Sequence, residues 1–158
     1  MVMPNLSTPI ATTQQAITYR ELINKATPSE SPDFHPLMTL YCSDQLEISD
    51  LIYGYRENIV KAVKYYPAGA TTNSASGGST MMDYAEIFSA MEEQGIPLLV
   101  HAESTDPKVD IYDREAVFLE RELQTVCAGF PELQVTVEHI STSGGVDFVN
   151  AHKKVGAS

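Results

Sequence analysis

Three residues with recognisable chemistry stand at the ends of short apolar runs: Lys64 in AVKYY, His101 in PLLVHAE and His139 in VTVEHIS. They are 37 and 38 residues apart, close to one strand, one helix and their connections. A chain built on such a repeat returns to the same end of a sheet each time, and sequential strands lie side by side about 5 Å apart. The spacing therefore predicts one amine and two imidazoles at the carboxyl edge of a parallel sheet, where α/β folds place their sites. Two converging imidazoles suit a divalent metal, most simply zinc. Lysine is rarely buried without a partner, and a protonated amine beside a metal would be repelled. Burial and cationic neighbours favour the neutral amine, which can add carbon dioxide and become a carbamate. A carbamate on Lys64 could bridge two metals about 3.5–4 Å apart, the separation found in two-metal hydrolytic sites.

Other reactive residue types have plainer readings. A histidine closing an apolar strand is more often structural than a ligand, so the residues alone leave both roles open for His101 and His139. His35 precedes Pro36 at the opposite end of its strand, and His152 reads as solvated beside Lys153 and Lys154. Glu138 neighbours His139, so strand alternation turns it to the other face. Glu103 either shares the face of His101 or begins the next loop. SASGGST lacks the lysine of a phosphate-binding loop and reads as a substrate lid or a plain connector. Cys42 and Cys127 read as small buried residues.

The elements that must position these groups alternate regularly. Apolar runs at 2–3, 37–42, 59–65, 97–101 and 135–139 read as strands. Helical periodicity marks 13–26, 48–58, 81–94, 113–128 and 146–153, with a polar turn, PSESPD, after the first helix. Strands alternating with helices of this length mean βαβ units and a parallel sheet, either open and doubly wound or part of a (β/α) barrel. The chain opens on the last residues of a strand and closes just after a helix, which reads as a piece of a larger domain.

Composition limits the partners. With 158 residues, 43% hydrophobic and 20% charged, the chain suits one globular domain rather than disorder. A net charge of −11 argues against nucleic acid or an anionic membrane surface as the main partner. It leaves room for an anionic small molecule at a local cationic site. Two cysteines without a CxxC pattern suit a reducing, cytoplasmic setting, and no run approaches the ~18 apolar residues of a membrane span. MVMPNLSTPI has no signal-peptide pattern, so the sequon at Asn5 is set aside.

Taken together and in order, VMPNL, KYYPAGATTNS, PLLVHAE, DREAVFLE and VEHIST resemble the dihydroorotases of the single-function bacterial type, within the metal-dependent amidohydrolases. The resemblance runs through nearly the whole chain. It implies a (β/α)8 TIM barrel, of which about five strand-helix units are present. It also implies reversible cyclisation of N-carbamoyl-aspartate to dihydroorotate in pyrimidine synthesis. Lys64 would be the carbamylated lysine bridging two zinc ions, with His101 and His139 each a metal ligand. Asn5 would bind the substrate carboxylate, Thr71 and Thr72 would lie on a mobile loop over the substrate, and the whole protein would be a homodimer. The family's HxHxR motif has no match in these residues, and its acid/base aspartate is expected beyond residue 158. The implied reading is a single incomplete barrel domain, inactive by itself and prone to aggregate. A hydantoinase or allantoinase would share the bridging lysine and histidines, although KYYPAGATTN favours dihydroorotase. A non-catalytic barrel relative would have no need of the ligands.

Overall fold

The computed structural model describes residues 1–28 and 33–158; most of the turn expected in PSESPD lies outside them. Strands β1 (Met38–Tyr41), β2 (Val60–Tyr65), β3 (Leu98–Val100), β4 (Val135–Val137) and β5 (Val155–Ala157) form one sheet in sequential order, every pair parallel. Helices α1 (Thr13–Ala26), α2 (Ile48–Arg56), α3 (Ala85–Gln94), α4 (Arg114–Phe118), α5 (Gln124–Gly129) and α6 (Ser143–Ala151) occupy the connections. The expected α/β alternation holds, with each strand beside its predecessor.

The two faces of the sheet follow from the period of two. Val63, Tyr65, Leu98, Val100, Val135 and Val137 belong to one hydrophobic core with residues of the helices, such as Phe88, Met91 and Leu123. Full burial of each valine or leucine contributes about 1.5–3 kcal/mol. The intervening residues face the other way. In register, Lys64 stands beside Leu99 and Leu99 beside Thr136; this face carries the polar groups described below.

Local signals set the helix ends. Thr12 caps α1 and exchanges bonds with Gln15 in a capping box. Gly95, at φ 68°, ends α3 in the left-handed region. Thr142 caps α6, its hydroxyl accepting from the Gly145 amide.

Four expectations are corrected. The run at 2–3 is no strand of the sheet but a single bridge from Val2 to Met38. The helix expected over 113–128 is broken by a π-helical turn, Leu119–Leu123, between α4 and α5. The last helix is followed by β5, which pairs with β4. Glu138 does not point away from the amine: it contacts Lys64, and the reason lies in the backbone. β4 stops at Val137, and residues 136 and 138 share the face of Lys64, while His139 returns to that side through a φ of 45°.

Candidate functional site

Lys64 is the penultimate residue of β2 and only 1% exposed. Its ammonium is paired with Glu138 Oε2 and lies 4.8 Å from the centre of the Tyr66 ring. Burial pulls the Lys64 pKa below its ordinary value, outweighing the opposing pull of Glu138. The first residue after β3 is His101, whose Nδ1 lies 3.0 Å from His139 Nε2. On its other side, His101 Nε2 is 2.9 Å from Glu103 Oε2. A carboxylate only accepts, so in the neutral ring Nε2 carries the proton and Nδ1 accepts from His139 Nε2–H. Burial, then the neighbouring His101 and Lys64, hold the His139 pKa below its usual value, keeping that ring neutral at pH 7.

Lys64, His101 and His139 line one cavity of about 530 Å³ over the carboxyl ends of β2, β3 and β4, together with Asn5, Tyr66, Thr71 and Glu138. Asn5 is committed at both ends of its amide: Nδ2 donates to the Thr72 carbonyl at 2.9 Å, and Oδ1 accepts from the Tyr66 hydroxyl at 3.0 Å. Asn73 Nδ2 donates to the Asn5 carbonyl at 3.1 Å. Thr72 thus meets Asn5 through its backbone, and its exposed side chain is not among the groups lining the cavity. The loop carrying Thr71 is internally bonded. Ser74, 1% exposed, donates its hydroxyl to the Thr71 carbonyl and accepts from the Thr71 amide. A Cβ on Gly77 would collide with the Tyr66 carbonyl oxygen, so that turn requires glycine.

Glu138 and Tyr66 join the site without having been singled out for it, and Glu103 takes the first of its two readings, beside His101. Glu103 did carry a signal, two residues after His101. Tyr66 continues the alternation Ala62–Lys64–Tyr66, which could have placed it. His35 is exposed. His152 is corrected from solvated to tethered: it is half-buried, stacked on Phe148 and bonded through Nδ1 to the Phe148 carbonyl at 2.8 Å.

The donor set offers a partial fit to a metal. Two nitrogens bound to one zinc at 2.0–2.1 Å in tetrahedral geometry would lie about 3.3 Å apart, within a few tenths of the His101–His139 separation. Glu103 on the far nitrogen of His101 is the orienting carboxylate typical of a ligating imidazole. Among the described residues, however, no group of three or more His, Cys, Asp or Glu side chains is placed to hold a metal ion.

A parallel α/β sheet in sequential strand order, with its basic and imidazole groups gathered over the carboxyl ends of adjacent strands, is the arrangement an arc of a (β/α) barrel presents. No model of a protein family matches the chain. The dihydroorotase of Chelativorans sp. (strain BNC1) is 48% identical over 159 residues, covering all of this chain and 46% of the relative. The crystal structure of dihydroorotase from Campylobacter jejuni matches with a TM-score of 0.87 at 32% identity, over 99% of this chain and 44% of that one. Dihydroorotase from Saccharomyces cerevisiae, in complex with 5-fluoroorotic acid, matches with a TM-score of 0.86 at 28% identity, over 98% and 46%. By sequence and by fold the chain is similar to the dihydroorotases over nearly its whole length, and it spans a little under half the length of the relatives it matches.

Proposed function

We propose that these residues form part of a dihydroorotase active site, zinc-dependent and acting on the cyclic amide that interconverts with N-carbamoyl-L-aspartate in the pathway to UMP. The observation that carries this reading is the meeting of His101 and His139 beside a buried, pKa-lowered Lys64 in one cavity. Lys64, once carbamylated, is the third donor that a census of His, Cys, Asp and Glu cannot include. His101 and His139 supply the imidazoles; the two-zinc site takes its remaining ligands from outside this chain. When bound, the metal pair polarises the ring amide and supplies a nucleophilic water at neutral pH.

The chain's own groups do the positioning. Burial lowers the Lys64 pKa and so raises the share of neutral amine that carbon dioxide requires. Glu103 holds His101 with Nδ1 facing His139. The substrate carboxylate is taken by the second N–H of Asn5 Nδ2, beside the one given to the Thr72 carbonyl, with Thr71 and Thr72 on the adjoining loop. No group of this chain is assigned the proton transfers, so the 158 residues alone have no turnover. The names of the relatives favour dihydroorotase over a hydantoinase or allantoinase. The working enzyme is a cytoplasmic homodimer with a small-molecule substrate. No described helix is long and apolar enough to cross a membrane.

The test uses 5-fluoroorotic acid, the ligand of the yeast structure. Titrated into the zinc-supplemented protein, it should shift the amide resonances of Asn5, Thr71 and Thr72, and hydantoin should not. Equal shifts with both compounds, or none with either, would overturn the assignment.

A further inference from the structure

DREAVFLE is singled out by the sequence yet has no part in the proposed chemistry. The structure gives its second and third residues different partners. Arg114 Nη1 donates to Glu103 Oε1 at 3.0 Å, and the other oxygen of Glu103 holds His101. The next residue, Glu115, is 8% exposed and accepts four bonds. Ser141 N and Oγ reach its Oε2, each at 2.8 Å, while Thr142 N and Oγ1 reach its Oε1 at 3.1 and 2.5 Å. Ser141 and Thr142 follow His139 after one residue, Ile140, and lead into α6, which Thr142 caps. The contact is close-fitted, for a Cβ on Gly145 would collide with Glu115 Oε1. One dipeptide at the start of α4 thus reaches the supports of both imidazoles: through Glu103 to His101, and through the 141–142 backbone to the left-handed turn at His139.

We propose that Arg114 and Glu115 are a paired positioning device. Arg114 fixes the ring of His101 through Glu103, and Glu115 fixes His139 by anchoring the turn that brings it back over the sheet. The four bonds at Glu115 exceed what a helix cap needs, since the Thr142 hydroxyl already caps α6. This inference rests on the metal reading only for its purpose; the contacts it concerns are between the chain's own residues.

The experiment is nuclear magnetic resonance of the metal-free, 15N-labelled protein. It reads the His101–His139 inter-ring cross-peak, expected from centroids 4.6 Å apart, and the protonation of His101 Nε2. Glu115→Gln turns an amide donor toward one pair of donors and should abolish the cross-peak while leaving His101 Nε2 protonated. Arg114→Met should instead shift the His101 tautomer. Asp50→Asn is the control for mere destabilisation, because Asp50 accepts from the Thr13 amide at the start of α1, away from the cavity; it should lower stability and move neither signal. Should Glu115→Gln not fold, Glu115→Asp replaces it, with a weakened cross-peak expected. Cross-peak and tautomer unchanged in the Arg114 and Glu115 variants, or equally changed in Asp50→Asn, would overturn the proposal. A parallel zinc titration separates the two readings: the variants should weaken zinc binding about 10-fold or more. An absence of zinc binding by the wild type, with the cross-peak intact, would refute the metal assignment and leave the positioning device standing.

Discussion

Lys64 and Glu138 form the pair on which the site's electrostatics turn. Lys64→Met keeps much of the side-chain volume but leaves the Glu138 carboxylate, only 16% exposed, without its cation. Removing one partner of a buried ion pair costs about 3–5 kcal/mol. Urea unfolding should show that loss for Lys64→Met and recovery of at least half of it in Lys64→Met/Glu138→Gln, because the second change removes the stranded charge; a double variant less stable than the single would contradict the pairing. At this scale the sequence was legible where chemistry and spacing agreed, at Lys64, His101 and His139. It misled at Glu138, because alternation was carried through residue 139, although the strand ends at Val137 and His139 turns at φ 45°. A positive φ at a histidine leaves no compositional trace.

Among the elements, the loop after β2 and the start of α6 hold the groups around the cavity. Gly77→Ala would press a methyl group against the Tyr66 carbonyl, a backbone atom that cannot turn aside. Overpacking of this kind costs about 1–3 kcal/mol; a melting temperature equal to wild type would show that the loop is free to shift. The junction at α6 makes a pH prediction. Burial would raise the Glu115 pKa, but the bonds from Thr142 and Ser141 outweigh it and hold the carboxyl below 4.5. Its folded pKa lies below its unfolded one, so the stabilisation is complete above pH 4.5 and is lost as pH falls through the folded value. Stability measured from pH 6 downward should therefore decline more steeply in wild type than in Glu115→Gln; parallel curves would contradict this. The first four strands of the sheet were readable from their apolar runs, each within a residue or two. β5 was not, since Val155, Gly156 and Ala157 carry too little pattern to separate them from the end of a helix. The π-helical turn inside 119–123 was equally silent, because it preserves the apolar spacing that marks a helix.

At the level of the whole molecule, a sheet with one face against helices leaves the other for the cavity and for further chain in the longer relatives. The alternation of elements made the parallel α/β class legible, and five motifs in order carried the family. What pairs with what inside the cavity depended on register and turn geometry, which no motif states. Purified residues 1–158 with zinc and dihydroorotate should show no turnover above the uncatalysed rate; measurable hydrolysis would mean that the proton carrier is present after all. The central claim, that Lys64, His101 and His139 together hold a divalent metal, is tested most directly by calorimetric titration of the protein with zinc in bicarbonate buffer. The account predicts saturable binding that is lost in His101→Ala and His139→Ala and falls when bicarbonate is withheld; no binding, or binding indifferent to all three changes, would contradict it.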